Sequence, residues 1–426
     1  MTARRVWLGV IVLALSLALA MPAGAQKMKL IHWDWYEPRA NLIKEFAARY
    51  HELNPDVEIE TTLIPWDEFW EKLPIAISTG TAPDLHQFHN EKWGQFEGLL
   101  APYPEKIFNF AEMREDYIMF DQAVMFDGKM YFFPAGIMTS GIFYNADILA
   151  AAGIDRPGAT WAELLQQAKQ LARFDQDGRL VRAGFDVLRF NKQYLYTDLV
   201  FQHGGFLFRE DGGADLLSDE SRAAVDLLMT IAEANVGPLP GDAFSGTFET
   251  GGMAMTYSWT WYAGNVNINA PQLNYKVAPI PTVTGGDLPA RARNNYEAGL
   301  AVPYNIPEER KEQAFRFIKW LYDQDDFYAM LNRELGRIPG RMDIWNHPIL
   351  EDKSDVFRML AVQVPYTVYP GPLPSWYFDV VNSALDKVFI DHVDPAVAFE
   401  QAQVEANARW MEEPGVHLVE RQYRAP

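Results

Sequence analysis

The sequence predicts an α/β protein with two lobes. Short strand-like runs alternate along the chain with segments that repeat apolar residues at helical spacing, which is typical of βαβ units around a mostly parallel sheet. The chain has 426 residues, which is too long for one compact hydrophobic core. Hydrophobic residues make up 49% of the sequence, and this fraction excludes a disordered chain.

The first 25 residues have the pattern of a secretory signal. Arg4 and Arg5 precede an apolar run at residues 6–20, and Ala23-Gly24-Ala25 follows as a small-residue cleavage site. The run is short for a bilayer span. We therefore expect cleavage after Ala25 and a periplasmic or extracellular protein. Because the sequence contains no cysteine, it has no attachment site for the lipid of a lipoprotein.

The first part of the mature chain predicts strands and helices in strict alternation. Leu42, Ile43 and Phe46 lie on one face of the first helix, and Asn54-Pro55 ends that helix. The predicted strands are residues 29–33, 57–62 and 84–88, and the predicted helices are residues 41–50 and 66–76.

The rest of the chain repeats this pattern. Thr160 and Glu163 fit a capping box at the start of an amphipathic helix. The segment at residues 175–178 lacks the ligands of a calcium loop and predicts a tight turn. Strands are predicted at residues 129–133, 141–144 and 253–258, and helices at 161–174, 218–234, 308–322, 376–389 and 395–410.

Composition and motifs exclude several classes of function. The formal net charge of −20 argues against nucleic acid or an anionic membrane as a partner. Without cysteine there is no thiolate nucleophile or iron–sulfur cluster. The sequence also contains no His-Glu-x-x-His, no Gly-x-Ser-x-Gly and no P-loop. We therefore predict no metal site, no cofactor and no catalytic residue.

Aromatic residues cluster close to the ends of predicted strands, where open α/β sheets bind ligands. Sugars fit such a composition, because their C–H faces pack on aromatic rings and their hydroxyls pair with carboxylates, amides and guanidinium groups. The aromatic clusters are Trp33, Trp35 and Tyr36; Phe88 and Trp93; Tyr257, Trp259, Trp261 and Tyr262; and Tyr366, Tyr369, Trp376 and Tyr377. Polar candidates among them are Asp34, Glu37, Asn90, Glu91, Lys92, Glu297 and Arg337.

Several short motifs together resemble one known family over residues 27–410. They are Gly80-Thr81-Ala82-Pro83-Asp84, Gly128–Pro134 followed by Phe143-Tyr144-Asn145, Pro157–Leu165 with Thr160-Trp161, Gly252-Met253-Ala254-Met255 followed by Trp261, and Leu335–Arg341. With these motifs the chain resembles the extracellular sugar-binding proteins of ABC importers, the family that includes the maltose-binding protein.

The resemblance implies an α/β, two-lobe periplasmic-binding-protein fold of the class II type, with the ligand cleft between the lobes. The N-terminal lobe would comprise residues 26–135 plus 298–345, and the C-terminal lobe residues 136–297 plus 346–426. The implied function is to bind a sugar or oligosaccharide and to deliver it to membrane permease subunits. A non-enzymatic monomer is expected.

The resemblance also implies ligand residues at matching positions. Trp261 and Phe88 match sugar-stacking aromatic positions, and Trp376 lies close to another. Glu91 and Lys92 stand where the maltose binder has an Asp and an Arg. Glu37 lies close to the position of its Asp-Lys pair, and Met138 replaces a hydroxyl-binding Glu. The predicted ligand-binding residues are Trp35, Glu37, Phe88, Asn90, Glu91, Lys92, Met138, Trp259, Trp261, Glu297, Arg337, Arg341 and Trp376.

Two alternatives remain open from the sequence. Related importer proteins bind glycerol-3-phosphate or a similar polyol phosphate, for which Arg337 and Arg341 could supply the basic groups. A secreted carbohydrate-active enzyme or a lectin would also use clustered aromatic residues.

Overall fold

The computed structural model describes residues 27–414, except for residues 211, 286–289, 352–353 and 372. The predicted signal segment lies outside the described residues. Among the helices of the described ranges, none has the length and apolarity needed to cross a bilayer.

Eleven strands in the described part of the chain form one large sheet, and two more form a separate hairpin. The order along the main path of the large sheet is β2-β1-β3-β11-β6-β9-β8-β7, and the hairpin is β4-β5. The strands are β1 Met28–Asp34, β2 Val57–Leu63, β3 Leu85–Gln87, β4 Met125–Phe126, β5 Lys129–Met130, β6 Phe132–Asn145, β7 Arg173–Phe174, β8 Leu180–Asp186, β9 Met253–Trp259, β10 Tyr275–Ala278, β11 Ala292–Ala301, β12 Ile338–Pro339 and β13 Thr367–Val368.

Helices cover the sheet. The helices are α1 Glu37–Leu53, α2 Trp66–Thr79, α3 Trp93–Phe96, α4 Phe110–Asp116, α5 Phe120–Ala123, α6 Ala146–Ala151, α7 Trp161–Leu171, α8 Lys192–Gln202, α9 Asp219–Glu233, α10 Tyr262–Asn269, α11 Glu308–Tyr322, α12 Asp325–Glu334, α13 Pro348–Glu351, α14 Ser354–Gln363, α15 Tyr377–Phe389 and α16 Pro395–Glu412.

The first three strands confirm the predicted βαβ arrangement. Strand β1 pairs in parallel with both β2 and β3, and α1 and α2 connect them. A parallel pair needs such a crossover, because a short turn cannot return the chain to the same end of the sheet. The carboxyl ends of β1 and β3 therefore lie side by side and carry the following loops to one edge.

The centre of the sheet differs from the prediction. Residues 129–133 and 141–144 were expected to form two separate strands, but β6 runs without a break from Phe132 to Asn145 and is buried along its whole length. A strand buried on both faces has no apolar–polar alternation, so periodicity could not reveal it. Strand β6 pairs antiparallel with β11, which also pairs antiparallel with β3.

Strands β6 and β11 link the two halves of the sheet. Strand β11 contacts β3 of the first half, and β6 contacts β9 of the second half. Both strands therefore cross between the halves. The lobe boundaries at residues 135, 297 and 345 stay a prediction.

Helix α7 shows how local signals set an element. The Thr160 hydroxyl accepts a hydrogen bond from the Glu163 N–H, and the Glu163 carboxylate accepts one from the Thr160 N–H, so the predicted capping box is confirmed. The helix ends at Leu171 and not at residue 174, because Arg173 and Phe174 pair with β8. The Asp175 side chain closes the predicted tight turn of that hairpin.

Candidate functional site

A cavity of about 270 Å³ opens between the two halves of the sheet. Residues that follow β1 and β3 contribute to it from one side, and residues of α8, β9 and α10 contribute from the other. Its lining is aromatic with interspersed charged and amide groups: Trp35, Tyr36, Arg39, Trp66, His89, Glu91, Met138, Tyr194, Trp259, Trp261, Asn265, Arg293, Asn295, Glu297 and Leu335.

The crossing strands form the floor of this cavity. Side chains along a strand alternate between its two faces, so Arg293, Asn295 and Glu297 of β11 share one face. Met138 of β6 lies opposite Asn295 in the β6–β11 register and joins that face. All four residues line the cavity. The backbone hydrogen bonds between β6 and β11 therefore fix the spacing of the three polar side chains, Arg293, Asn295 and Glu297.

Indole rings form the wall on the side of the first lobe. The Trp35 and Trp66 ring centroids lie 5.0 Å apart with nearly perpendicular planes, and Trp66 packs edge-on against His89 at 5.4 Å. The Arg39 guanidinium lies 4.7 Å from the Trp35 ring centroid, a cation–π distance. Trp66 stays 40% exposed, so a large part of its ring is open to a ligand.

A second aromatic wall faces it from the other lobe. The Tyr194 and Trp259 rings lie 6.2 Å apart, and the Arg293 guanidinium lies 4.7 Å from the Trp259 ring centroid. Trp261 precedes the first residue of α10 and is 43% exposed. Aromatic surface on both sides of one cavity can cover both faces of a flat, weakly polar molecule.

The charged groups of the cavity are already paired with protein partners. Arg39 donates from Nε and Nη2 to the two carboxylate oxygens of Asp34, at 2.9 and 2.5 Å. Arg293 donates from Nη2 to Glu91 Oε1 at 2.9 Å. Burial opposes ionisation of Glu91, but the positive charge of Arg293, helped by His89, outweighs it and lowers the pKa of the Glu91 carboxyl. Both arginines are therefore neutralised in place.

Glu297 is the second carboxylate of the cavity. Its Oε1 atom lies 3.5 Å from His89 Nε2 and accepts a hydrogen bond from the Asn295 amide, and its Oε2 atom lies 3.9 Å from Arg337 Nη1. Burial lowers the pKa of Arg337 to about 10, so that this side chain is still charged at neutral pH. The cavity thus presents oriented hydrogen-bonding groups with little unbalanced charge.

Some donors in the cavity lining lack a partner. Within the described residues, no group accepts a hydrogen bond from Trp259 Nε1 or Arg293 Nε. His89 Nδ1 also has no hydrogen-bond partner there, although it lies 4.0 Å from Glu91 Oε2. Buried donors without partners cost stability, and functional sites are where such groups are tolerated.

The structure brings six of the predicted ligand residues together around this cavity. They come from five separate stretches of the chain, and the lining contains Trp35, Glu91, Met138, Trp259, Trp261 and Glu297. Asn90 and Arg337 lie directly behind it. The Asn90 side chain is buried and donates to Asn295 Oδ1 at 2.5 Å.

Two predicted aromatic residues lie in the hydrophobic cores instead. Phe88 is fully buried and packs between Phe96 and Phe132, with ring centroids 5.6 and 5.4 Å away. Trp376 is 5% exposed and packs against Phe208 in the core of the second lobe. Neither ring lines the cavity. For both side chains, burial in an apolar core is more favourable than exposure at the cleft.

Three charged candidates also lie elsewhere. Glu37 is the exposed first residue of α1, where its charge favours the helix N-terminus. The Lys92 ammonium lies 5.8 Å from the Trp70 ring centroid. Arg341 forms ion pairs with Asp325 and Asp343. None of the three lines the cavity. Arg341, one of the two arginines considered for a phosphate, is held by two carboxylates.

Nine of the lining residues were not among the predicted ligand-binding residues, although Tyr36 had been placed in an aromatic cluster. They are Tyr36, Arg39, Trp66, His89, Tyr194, Asn265, Arg293, Asn295 and Leu335. One signal could have found two of them, because Arg293 and Asn295 precede the predicted Glu297 by four and two positions, the spacing of side chains on one strand face. No strand was predicted in this segment, so the spacing was not recognised. Arg39 gave no such signal, since a surface arginine and a buried one look alike in a sequence.

Within the described ranges, no three or more His, Asp or Glu side chains are grouped so that they could hold a metal ion.

A two-lobed α/β fold with an aromatic cavity between the lobes defines a solute-binding protein. The family model "bacterial extracellular solute-binding protein" matches residues 35–326. The chain belongs to this family, which is a family of binding proteins. The resemblance found in the sequence is confirmed.

Known relatives match the chain over most of its length. A binding protein of Brucella abortus is 22% identical over 92% of this chain and 95% of its own. An arabinooligosaccharide-binding protein of Halalkalibacterium halodurans is also 22% identical, over 87% of this chain and 82% of its own. The structure of the sugar-binding protein MalE from Xanthomonas citri superposes with a TM-score of 0.73 and 19% identity, covering 91% of this chain and 99% of that one. The two-lobe fold is thereby confirmed.

Proposed function

We propose that the protein binds a neutral sugar or short oligosaccharide in the cavity between its lobes. The two opposed aromatic walls support this proposal most directly, because Trp35 and Trp66 on one side and Trp259 and Trp261 on the other suit the two C–H faces of a pyranose. The sugar ligands named for the Halalkalibacterium and Xanthomonas proteins agree with it.

The pairing of charges favours a neutral ligand over a polyol phosphate. A phosphate needs guanidinium groups that are free to form new charge-assisted hydrogen bonds. Here Arg39 is held by Asp34, and Arg293 is held by Glu91. A phosphate would have to displace a carboxylate and would lie close to Glu297. Sugar hydroxyls, in contrast, can accept from Trp259 Nε1 and donate to the carboxylates without breaking either pair.

Binding is proposed to close the lobes over the ligand, since a sugar touching both walls joins them. The closed form would then be recognised by permease subunits of an ABC importer. We propose that residues 1–25 are a cleaved signal peptide, that the mature protein acts as a monomer in the periplasm or outside the cell, and that it carries no lipid. The membership in an extracellular binding-protein family supports this placement.

A thermal-shift screen tests the ligand class. The screen compares monosaccharides, arabinooligosaccharides and maltooligosaccharides with glycerol-3-phosphate. A true ligand at 100 times its Kd should stabilise the folded protein by about 2.7 kcal/mol. No response to any neutral sugar, combined with a salt-sensitive response to glycerol-3-phosphate, would refute the proposal. Product formation from an oligosaccharide would instead indicate an enzyme.

A further inference from the structure

A second cavity, of about 180 Å³, lies next to the first and shares no lining residue with it. Helix α10 separates the two. Trp261 and Asn265 line the first cavity, whereas Ala263 and Asn267, about half a helical turn away, line the second. The chain that follows α12 completes the second cavity with Gly336.

The lining of the second cavity is positively charged on one side and apolar on the other. Arg333 and Arg337 are among its residues, and none of the described lining residues is Asp or Glu. The opposite wall consists of aliphatic and aromatic side chains from α13 and α14, namely Leu350, Val356, Phe357 and Leu360.

Arg337 lines this cavity, and two of its donors have no hydrogen-bond partner among the described residues. The residue is 3% exposed, and its Nη1 atom lies 3.9 Å from Glu297. Within the described part of the chain, its Nε and Nη2 atoms have no hydrogen-bond partner, and Arg333 Nε has none either. A buried cation with two unused donors is costly unless an anion can reach it.

Two other arginines in this protein bind a carboxylate through the same two donor atoms, Nε and Nη2. Arg39 donates from Nε and Nη2 to Asp34, and Arg310 donates from Nε and Nη2 to Asp84. These two donors form a planar fork that matches the two oxygens of one carboxylate. Arg337 has the same fork, buried, and among the described residues no carboxylate lies on it.

We propose that the second cavity binds a small organic anion, with its carboxylate on the Nε–Nη2 fork of Arg337 and its short apolar part against Phe357 and Leu360. Arg333 adds positive potential at the same end of the cavity. The ligand class is a carboxylate with a short aliphatic chain, since the apolar wall gives an inorganic anion nothing to contact. This site does not depend on what occupies the first cavity.

Calorimetric titration with butyrate tests the proposal, in a low-salt buffer that contains no other carboxylate. We expect saturable binding of butyrate at one site and at least tenfold weaker binding of butyramide, which has the same shape without the charge. Arg337→Lys keeps the charge but removes the fork, so butyrate affinity should fall at least tenfold. Arg316→Gln is the control for the loss of one positive charge, because Arg316 is an exposed arginine on α11. This variant should leave the affinity for butyrate unchanged.

Several outcomes would overturn the proposal. These are no butyrate binding by the unaltered protein, equal binding of butyramide or inorganic phosphate, or unchanged affinity in folded Arg337→Lys. If Arg337→Lys does not fold, Arg333→Gln should weaken butyrate binding several-fold, and unchanged affinity there also overturns it. A crystal structure with butyrate should show its carboxylate on Arg337, and butyrate found only in the first cavity would contradict the assignment.

Discussion

Replacing Trp261 by Ala should weaken sugar binding strongly while leaving the fold intact. A tryptophan side chain offers about 250 Å² of surface, so an exposed fraction of 43% leaves roughly 100 Å² for a ligand. If a sugar ring covers half of that area, burial at about 25 cal/mol/Å² contributes roughly 1.3 kcal/mol. Ring stacking adds about 0.5–1.5 kcal/mol. The loss is then about 2–3 kcal/mol, or roughly 30-fold to 150-fold in Kd.

The folded state should tolerate this change. The Trp261 ring is half open to solvent, and its neighbouring ring in the structure is that of Tyr262 at 6.1 Å. Surface truncations of this kind alter stability by about 0.5 kcal/mol.

Isothermal titration calorimetry with the sugar identified in the screen measures the effect on Kd, and circular dichroism checks the fold. Phe174→Ala is the matched control, because Phe174 is also 43% exposed but lies on β7 and does not line the cavity. A folded Trp261→Ala variant whose Kd stays within twofold of the unaltered protein would show that Trp261 does not contact the sugar.

Two further predictions concern stability. The buried imidazoles of His32 and His86 have their pKa lowered by burial from 6.5 to about 4, whereas burial raises the pKa of Asp198 from 3.8 to about 6. Between pH 7 and pH 5 the unfolded chain gains protons on both histidines, which lowers the free energy of unfolding, and the folded chain gains one on Asp198, which raises it. Urea titrations should therefore show a net loss of about 2 kcal/mol in the free energy of unfolding. Gly336→Ala should cost about 2–4 kcal/mol, because Gly336 has a φ of +58° and a Cβ there would lie 2.1 Å from the Thr260 carbonyl oxygen.

Matched variants separate these causes. Asp198→Asn removes the carboxyl that works against the histidines, so the loss between pH 7 and pH 5 should rise to about 4 kcal/mol. A stability that does not fall over this range would contradict the assignment of neutral, buried imidazoles. Gly80→Ala serves as the control for Gly336→Ala, since Gly80 has a φ of +74° but open space around its Cβ position. It should cost only about 1 kcal/mol, and an equal cost for both variants would exclude the steric contact.

Local signals were enough to predict much of the fold. The strand β1, the helix α7 and the turn at Asp175 depend on spacing, capping and turn residues within a few positions of one another. The order of strands and helices then implied parallel pairing of β1, β2 and β3, which the structure has. The aromatic density at the end of β9 likewise placed Trp259 and Trp261 at a site, and both line the cavity.

Long-range packing decided the rest. The unbroken strand β6 depends on partners from β9 and β11 that lie more than 100 residues away. Phe88 and Trp261 are both aromatic residues close to a strand end, yet one ring is enclosed by Phe96 and Phe132 and the other faces the cavity.

Charged residues show the same limit. Nothing close to Arg293 in the chain reveals that Glu91 neutralises it. Nothing close to Arg337 reveals that its Nε and Nη2 donors have no partner among the described residues. Residue type and spacing are local properties, and they determined the elements of this protein and the kinds of group available to a ligand. Which side chain faces the cavity, and which charge is compensated, depends on contacts between distant segments, and those exist only once the chain has packed.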